Sequence, residues 1–272
     1  MKVIQESNMT DMFTNILSSI NHEGYNVNGT TELENVTFQL PAGFTIDDAI
    51  AKQRFVLSYG LAEMVWYLSG SRSMEWISKF GSIWTKLTDD GITNNSAYGY
   101  AIYFENGYSQ LEQIIEMLKA DPNSRRAVIN INTPHPNKLT TNDERCTIAL
   151  QYLVRDGKLN ATTYMRSNDI NFGVPYDVFY FTMLQRFVAK SLGLEVGTYT
   201  HTATSLHMYD RDIDKLDGAM HTSLKEYPSF NMDALFEHAI DIYFEVENYM
   251  GEGVKKFLVK RAEDYGVITY DK

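Results

Sequence analysis

The chain of 272 residues lacks several features that would point to particular classes of protein. It has one cysteine, Cys146, so an intramolecular disulfide and a cysteine-based zinc cluster are both excluded. Its formal net charge of −11 argues against nucleic acid as a partner, because phosphate binding needs a basic face. No long apolar run opens the chain. Neither a signal peptide nor a membrane span is therefore expected, and the reducing cytoplasm is the expected location.

Motifs for metals and common cofactors are also missing. The histidines have no metal-ligand spacing, and no glycine-rich loop that could cradle phosphates or a dinucleotide is present. Aromatic residues make up 13%, but they are interleaved with acids, which is typical of core positions rather than of a stacking surface for single strands. A small phosphorylated metabolite bound by local arginines fits this acidic chain better than a polyanion does.

The apolar pattern predicts a single α+β domain over residues 1–272, with helices covering a mixed or mostly antiparallel sheet. Two alternating runs, Thr147–Arg155 and residues 158–165, are joined by Asp156-Gly157 and predict a β-hairpin. Residues 46–68 are predicted to form one long helix and residues 21–31 a loop. From about residue 210 onward, the chain is predicted to be mainly helical.

The densest polar cluster is the segment 166–177, which follows a strand-like run and opens a helix-like run. It contains Arg166, Asp169, Gly173 and Asp177. A helix N-terminus offers free N–H groups and a partial positive charge, and an arginine can bind a phosphate through two hydrogen bonds. The segment therefore suits an anionic ligand. An exposed polar loop with a buried salt bridge is the alternative, and the residues alone leave both open.

Cys146 lies between a polar loop and a predicted strand. One interpretation is a buried structural thiol. The other is a nucleophile whose thiolate is favoured by nearby arginines. Arg145 precedes it directly, and Arg125, Arg126 and Arg166 are further candidates for this role.

Three other groups also have a functional and a structural interpretation. Glu63 lies in an apolar helical run, where burial would raise its pKa and suit acid–base catalysis, but a surface glutamate is the alternative. Arg125 and Arg126 are either phosphate ligands or solvated cations. His207 and Tyr209, at the end of a predicted strand, either bind a sugar hydroxyl or form a satisfied pair in the core.

Taken together, these motifs resemble the thymidylate synthase superfamily. They run in family order from about residue 55 to 210, and the ordered set carries the signal because no single motif is decisive. The matches are Ala62 through Gly70, Ile83-Trp84, Tyr98-Gly99, Asp121 through Arg126, Cys146, Arg166-Ser167 with Asp169 and Gly173, and His207 with Tyr209. The resemblance implies the α+β fold of that family.

Within the superfamily the chain is most similar to the phage deoxycytidylate hydroxymethylases. The segments with this likeness are Asn95 through Ile102, Met165 through Asp169, Phe172-Gly173 and Ser205 through Tyr209. Asp177 stands where thymidylate synthases carry an asparagine, whose amide pairs with N3–H and O4 of uracil. A protonated carboxyl, or a carboxylate facing protonated cytosine, pairs instead with N3 and N4 of cytosine. Since a mismatch costs about 1–3 kcal/mol per unpaired group, Asp177 favours cytosine.

The resemblance implies transfer of a one-carbon unit from 5,10-methylenetetrahydrofolate, without a metal. The Cys146 thiolate would add to C6 of the pyrimidine, C5 would take up the one-carbon unit, Asp177 would stabilise charge at N3, and Glu63 with ordered water would move protons. Loss of tetrahydrofolate leaves an exocyclic methylene, and water then gives the 5-hydroxymethyl product. Four alternatives stay open: a deoxycytidylate methyltransferase, a deoxyuridylate methyltransferase, a cytidylate hydroxymethylase, and an inactive relative that binds a nucleotide or RNA.

The resemblance also assigns the site residues. The candidate catalytic residues are Cys146, Glu63, Asp177 and Tyr98. The candidate ligands of a nucleotide of the deoxycytidylate type are Arg125, Arg126, Arg166, Ser167, Asn168, Asp169, His207 and Tyr209. The candidate folate ligands are Trp84, Asp169, Phe172, Gly173 and Tyr176. Arg125 and Arg126 are expected to reach the phosphate bound by a neighbouring subunit, which predicts a homodimer.

The helical region from about residue 210 onward is expected to diverge from the family, and the chain also departs from the family pattern in three particular places. Residues 21–31 contain no arginine or lysine, although thymidylate synthases carry a phosphate-binding arginine in an early loop. The basic pair that contacts folate is missing near residues 45–48. Residues 267–272 do not match the apolar tail that closes the site. The phosphate contacts and the closure of the site are therefore expected to differ from those of thymidylate synthases.

Overall fold

The computed structural model describes residues 1–133, 140–221 and 223–270. The chain forms two compact units. Unit 1 contains residues 1–55, 113–129 and 146–226, and unit 2 contains residues 56–112, 130–145 and 227–272. The large sheet belongs mainly to unit 1, whereas unit 2 is mainly helical.

Unit 1 is built on a seven-stranded sheet. The strands are β1 (Lys2–Gln5), β2 (Tyr25–Val27), β3 (Thr30–Leu40), β4 (Val128–Asn130), β5 (Thr147–Arg155), β6 (Lys158–Asp169) and β7 (Glu195–Tyr209). Their order is β1-β3-β7-β6-β5-β4, and β2 pairs with β3. The pairs β1–β3 and β6–β7 are parallel, whereas β3–β7 and β5–β6 are antiparallel. The sheet is therefore mixed, and the predicted α+β class is confirmed.

Helices and two short strands account for the other regular structure in the described residues. The helices are α1 (Met9–Glu23), α2 (Leu57–Ser69), α3 (Met74–Ser78), α4 (Tyr98–Tyr103), α5 (Gln110–Ala120), α6 (Val174–Ser191), α7 (Ile213–Met220), α8 (Met232–Glu247) and α9 (Val254–Asp264). The strands β8 (Ser229–Phe230) and β9 (Ile268–Thr269) pair in unit 2, where α2 packs against α8 and α9. Residues 271 and 272 of the C-terminal segment lie outside the described residues.

The core of unit 1 lies between the sheet and helices α1 and α6. Alternate residues of β7, including Tyr199 and His201, point inward and are fully buried. The His201 ring stacks on Phe38 of β3, with the ring centroids 4.6 Å apart. Gln185 of α6 donates a hydrogen bond to the Leu159 carbonyl of β6 over 2.8 Å, which ties the helix to the sheet.

Two hairpins show how far turn chemistry could be read from the sequence. The predicted hairpin β5–β6 is present, and its turn residues Asp156 and Gly157 have φ values of 51° and 73°, as a type I′ turn requires. Asn28 and Gly29 have φ values of 50° and 85° and join β2 to β3 in the same way. The loop prediction for residues 21–31 is therefore wrong, because most of that segment is strand, helix end and tight turn.

The single helix predicted over residues 46–68 is also wrong in its first half. A 3₁₀ turn spans Asp47–Ala49, and α2 begins only at Leu57. Between them, Phe55 is fully buried, and its ring centroid lies 4.8 Å from that of Phe179. Burial of this aromatic ring in the core outweighs the local helical preference of the segment.

No helix in the described residues combines the length and the apolar character needed to cross a membrane.

Candidate active site

Cys146 and Arg166 are brought together by the β5–β6 hairpin. Cys146 directly precedes β5, and its carbonyl accepts a hydrogen bond from the Arg166 N–H over 2.9 Å. Cys146 forms no disulfide, and it is partly exposed. A nucleophile candidate and a phosphate-binding candidate therefore face each other across one strand pair, although they are distant in sequence.

The side chain of Arg145, which directly precedes Cys146 in sequence, forms an ion pair and several hydrogen bonds. Its guanidinium binds both carboxylate oxygens of Glu105, over 2.7 and 2.9 Å, and it also donates to the carbonyls of Asn95 and Ile131. The charge of Arg145 is therefore matched by Glu105 within unit 2. Its hydrogen bonds to Asn95, Glu105 and Ile131 hold the segment that leads into Cys146.

The predicted junction between a strand and a helix is present at segment 166–177. Strand β6 continues to Asp169, four residues beyond its predicted end, and α6 begins at Val174. The Asp169 carboxylate accepts the N–H groups of Asn171 and Phe172 over 3.0 and 3.2 Å and so fixes the turn. Burial raises the pKa of Asp169.

Gly173 is required at this junction because the backbone passes close to other groups. A Cβ atom at this position would lie 2.5 Å from Asn168 Nδ2 and 2.8 Å from the Asp169 carbonyl oxygen. The Asn168 amide can therefore reach the start of α6 only across a residue without a side chain.

Replacing Gly173 by alanine is expected to destabilise the protein by about 1–3 kcal/mol, because the added methyl group displaces Asn168 or the turn. Urea unfolding would measure this change. Gly218→Ala in α7 is the matched control, since no described atom lies within 4 Å of its added Cβ. That variant is expected to be neutral or more stable by about 0.5–1 kcal/mol. Equal effects of the two substitutions would contradict the close approach at Gly173.

Asp177 lies in the first turn of α6 and remains partly accessible. Its Oδ2 accepts a hydrogen bond from Asn168 Nδ2 over 2.7 Å. Loss of hydration in the surrounding protein raises the pKa of Asp177 to about 7, and the charge of Asp169 acts in the same direction. At neutral pH this carboxyl is therefore close to half protonated.

Asp177 is expected to make the protein less stable as the pH rises from about 4 to about 7. Its native pKa, about 7, lies above its ordinary value of 3.8. In this window the native state therefore holds a proton that the unfolded chain has released, and the free energy of unfolding falls as pH rises. Relative to the wild type, Asp177→Asn should thus gain about 2–4 kcal/mol of stability between pH 5 and pH 8.

Urea unfolding at both pH values would measure this gain. Asp214→Asn, at an exposed position of α7, controls for the loss of one negative charge. The same pH response in both variants would contradict the raised pKa of Asp177.

A chain of buried polar groups extends from Asp177 into the core of unit 1. Asn168 Oδ1 lies 3.0 Å from His201 Nε2, His201 Nδ1 lies 2.9 Å from the Tyr199 hydroxyl, and that hydroxyl lies 3.0 Å from Thr163 Oγ1. Burial lowers the pKa of His201 to about 3 and raises that of Tyr199 well above 10. Both rings are therefore neutral at physiological pH.

Two buried polar groups near the junction lack a hydrogen-bond partner among the described residues. They are the Nδ1 atom of His207 and the side-chain amide of Asn171. The His207 carbonyl accepts the N–H of Ile170, so the end of β7 is joined to the turn after β6. The His207 ring also packs edge-on against Tyr209, with centroids 5.3 Å apart. A ligand hydroxyl that reached His207 Nδ1 would meet an atom with no other hydrogen-bond partner among the described residues.

The other candidate ligands in unit 1 differ in exposure. Arg125 and Arg126 are exposed on the segment between α5 and β4, and Ser167 is partly exposed on β6. The Phe172 ring is 58% exposed, and the Arg54 guanidinium lies 6.0 Å from its centroid. Tyr176 is buried against Phe55, with centroids 5.3 Å apart.

Unit 2 holds the remaining candidates. Glu63 of α2 is 8% exposed and accepts a hydrogen bond from the Tyr59 hydroxyl over 3.1 Å. That hydroxyl accepts one from Trp84 Nε1 over 3.0 Å. Tyr98, the first residue of α4, stacks on Tyr67, with centroids 5.1 Å apart. Glu63 is thus a buried carboxyl held by a hydroxyl, which contradicts the alternative of a surface glutamate.

Sequence reasoning did not single out Tyr199, His201 or Thr163 as functional residues. The available signal was alternation: in β7 the inward positions 199, 201 and 203 carry two polar rings where apolar residues are expected. A buried polar residue usually has a hydrogen-bonding task. Tyr59 was missed for a similar reason, since only its spacing of four residues from Glu63 on α2 indicates the contact.

A partly exposed cysteine whose backbone pairs with that of an arginine across a hairpin, together with a carboxyl of raised pKa at a helix start, is typical of an enzyme that works by nucleophilic catalysis. Among the described residues, no group of His, Cys, Asp and Glu could hold a metal ion.

A family model described as thymidylate synthase matches residues 9–259, so the chain belongs to the thymidylate synthase family. The match continues beyond residue 210, through α7 and α8 and into α9. Members of this family transfer a one-carbon unit to a pyrimidine nucleotide and use methylenetetrahydrofolate as co-substrate.

Among solved structures, the chain is similar to thermostable thymidylate synthase A from Bacillus subtilis, with 24% sequence identity and a TM-score of 0.66. The similarity covers 82% of this chain and 87% of that chain. It shows that the two proteins share a fold.

Proposed function

We propose that this protein transfers a one-carbon unit from 5,10-methylenetetrahydrofolate to C5 of deoxycytidylate, and that water completes the reaction to 5-hydroxymethyldeoxycytidylate and tetrahydrofolate. The state of the Asp177 carboxyl is the observation that carries this proposal. The carboxyl is partly accessible, its pKa is about 7, and one of its oxygens is held by Asn168. When protonated, this group offers one donor and one acceptor, as the N3 and N4 edge of cytosine requires.

Cys146 supplies the nucleophile in this proposal. Its thiolate adds to C6 of the pyrimidine, and the electron pair shifts towards N3, where the Asp177 proton stabilises it. C5 then forms the new bond to the one-carbon unit. C5 then loses its proton as tetrahydrofolate leaves, which gives an exocyclic methylene. One water adds to this methylene, and the C6–S bond breaks to release the thiolate. Deoxycytidylate, methylenetetrahydrofolate and one water are thus converted into the two products without a redox step.

Glu63 is the proposed acid–base group, which would move protons to and from the substrate during the reaction. Its carboxyl is buried in α2, and the Tyr59 hydroxyl holds it in place with support from Trp84. A carboxyl in such surroundings can exchange protons with an ordered water molecule rather than with bulk solvent. Tyr98, stacked on Tyr67, is the further candidate in unit 2.

The nucleotide is proposed to bind along the ends of β6 and β7. Arg166 and Ser167 would hold its phosphate, and His207 would meet the sugar hydroxyl through its unpaired Nδ1, beside Tyr209. The junction residues also suit a folate. Phe172 offers an exposed apolar ring, Tyr176 lies in the first turn of α6, and Asp169 provides acceptor oxygens. When bound, the folate would supply carbon at the oxidation level of formaldehyde.

A homodimer is proposed because the outer face of the sheet carries few charges. Thr37 and Gln39 of β3 hydrogen-bond to Thr202 and Thr200 of β7 over 3.1 Å each, and this row of neutral side chains is half-exposed. A broad neutral sheet face is typical of a surface that a second copy covers. In that dimer, the exposed Arg125 and Arg126 would contribute to the phosphate site of the partner.

Introducing a charge at the centre of this face, with Thr202→Lys, is expected to give monomers and to reduce activity at least about 10-fold, because an unpaired lysine cannot be buried between two sheets. Light scattering after gel filtration would measure the mass. Ser223→Lys, at an exposed position outside the strands, is the control. A Thr202→Lys protein that remains an active dimer would rule out this interface.

The test of the proposed function is incubation with methylenetetrahydrofolate and deoxycytidylate, deoxyuridylate or cytidylate in turn, followed by the product mass and the absorbance of dihydrofolate. A gain of 30 Da on deoxycytidylate without dihydrofolate is expected, as simple chemistry predicts for the addition of CH₂O. A gain of 14 Da with dihydrofolate would establish methylation instead. Preference for deoxyuridylate or cytidylate would overturn the assigned base or sugar, and binding without turnover would overturn the enzyme itself.

A further inference from the structure

We propose that His201 is a positioning residue that acts through Asn168 to fix the direction of hydrogen bonding at Asp177, so that Oδ2 of the carboxyl always accepts and its proton lies on Oδ1. This inference rests on the proposed reading of cytosine by Asp177. It adds three buried residues, His201, Tyr199 and Thr163, to the determinants of base specificity.

The first step is the orientation of Asn168. Its Nδ2 lies 2.7 Å from Asp177 Oδ2, and its Oδ1 lies 3.0 Å from His201 Nε2. An amide nitrogen donates and an amide oxygen accepts. With this orientation, His201 must carry its proton on Nε2.

The second step is the state of the His201 ring. The ring is fully buried and stacked on Phe38, with centroids 4.6 Å apart, and burial lowers its pKa to about 3. A neutral imidazole has one donor and one acceptor. Because Nε2 donates, Nδ1 must accept from the Tyr199 hydroxyl, 2.9 Å away.

The third step concerns the buried end of this row of hydrogen bonds, at Tyr199 and Thr163. Since the Tyr199 hydroxyl donates to His201, its oxygen is free to accept from Thr163 Oγ1, 3.0 Å away. Both residues are almost fully buried, so water does not compete for these bonds. The hydrogen bonds therefore run in one direction: Thr163 to Tyr199, His201, Asn168 and finally Asp177.

The consequence for Asp177 is a defined site for its proton. Oδ2 receives the Asn168 N–H, so a proton on the carboxyl is placed on Oδ1, from which it can be donated to N3 of cytosine. Oδ2 keeps a lone pair for the N4 amino group. Asp169 also acts on this carboxyl, because its charge raises the pKa of Asp177, but it supplies no direction. The direction comes from His201, because among the described residues only its N–H is bonded to the Asn168 oxygen.

The direct test is the tautomer of His201 in the wild-type protein, measured by ¹⁵N NMR between pH 5 and pH 8 without substrate. The neutral ring with its proton on Nε2 is expected throughout. A proton on Nδ1, or a ring that becomes charged in this range, would overturn the inference. This measurement needs no turnover, so its outcome is independent of whether the proposed function holds.

The functional test compares His201→Phe, which keeps a flat ring against Phe38 but cannot donate, with His201→Gln, whose amide can donate to Asn168. In His201→Phe, the Asn168 amide can turn its oxygen towards Asp177. The pKa of Asp177, followed by ¹³C NMR, should then rise by about 1 unit. The preference for deoxycytidylate over deoxyuridylate in kcat/KM should fall about 10-fold to 100-fold. His201→Gln is expected to restore both to within a few-fold.

Thr182→Val is the matched control, because Thr182 is fully buried and its hydroxyl bonds, within the described part of the chain, only to the Phe179 carbonyl of its own helix. It is expected to lower the urea midpoint without changing base preference or the pKa of Asp177. If folded His201→Phe retained both wild-type values, the positioning role would be disproved. A wild-type protein that shows the expected tautomer but does not discriminate between the bases would refute the proposed function instead.

Discussion

Asp177→Asn is expected to lower kcat/KM for deoxycytidylate by about 30-fold to 10⁴-fold, because two polar groups of the base then lose their partners at about 1–3 kcal/mol each. An asparagine amide offers a donor and an acceptor fixed for O4 and N3–H of uracil. Turnover of deoxyuridylate is therefore expected to rise. The measurement is a pair of kcat/KM values for each protein under the same folate concentration.

Two controls test whether this result comes from recognition of the N3 and N4 edge of the base. Asp214→Asn removes one negative charge at an exposed position of α7 and should leave the ratio of the two kcat/KM values unchanged. The binding of inorganic phosphate should be equal in Asp177→Asn and the wild type, because Arg166 and Ser167 are intact. An unchanged base preference in Asp177→Asn would remove the main support for a cytosine substrate.

The second large effect is expected from Cys146→Ala, which should reduce turnover by roughly 10⁴-fold or more, because the covalent step loses its nucleophile. Binding of deoxycytidylate should persist, since the phosphate and base contacts remain. Cys146 is the one cysteine in the chain, so a thiol-alkylating reagent labels a single site in the wild type. Deoxycytidylate should slow this labelling. Persistent turnover by the alanine variant would show that the chemistry does not use this thiol.

The parts of the fold that sequence could predict are those fixed by local chemistry. The β5–β6 hairpin follows from Asp156-Gly157, because both residues adopt positive φ and the flanking strands alternate. The end of α2 follows from Gly70, whose φ of 67° closes the helix. The same chemistry joins β2 to β3 at Asn28-Gly29, and there the signal was present but was overlooked among surrounding polar residues.

The parts that sequence could not predict depend on contacts between distant residues. Residues 51–56 have a helical composition, yet burial of Phe55 against Tyr176 and Phe179 decides their path. α4 was missed because its packing is distant in sequence. A Cβ on Gly99 would meet the Tyr67 carbonyl, so that helix lies directly against the backbone of α2.

In the candidate site too, local chemistry could be predicted from the sequence, whereas contacts between distant residues could not. Segment 166–177 was recognised as a junction between strand and helix from its residue types, and the position of Asp177 in the first helical turn follows from Pro175, which suits a helix start. The partner of its carboxyl could not be deduced. Asn168, nine residues earlier, reaches it only because Gly173 leaves room, and His201 comes from a different strand. The bond between Arg145 and Glu105, which are 40 residues apart, could not be deduced either.

The buried chain behind Asp177 ends at the hydroxyl of Thr163, and an alcohol does not release its proton under physiological conditions. This row of hydrogen bonds can therefore polarise the Asp177 carboxyl, but it cannot conduct a proton away from it. In the proposed reaction, a proton that Asp177 gains or loses would therefore travel on the side where the base would bind. A bound nucleotide would then cover that side, and the enzyme would complete its cycle with the protons enclosed there.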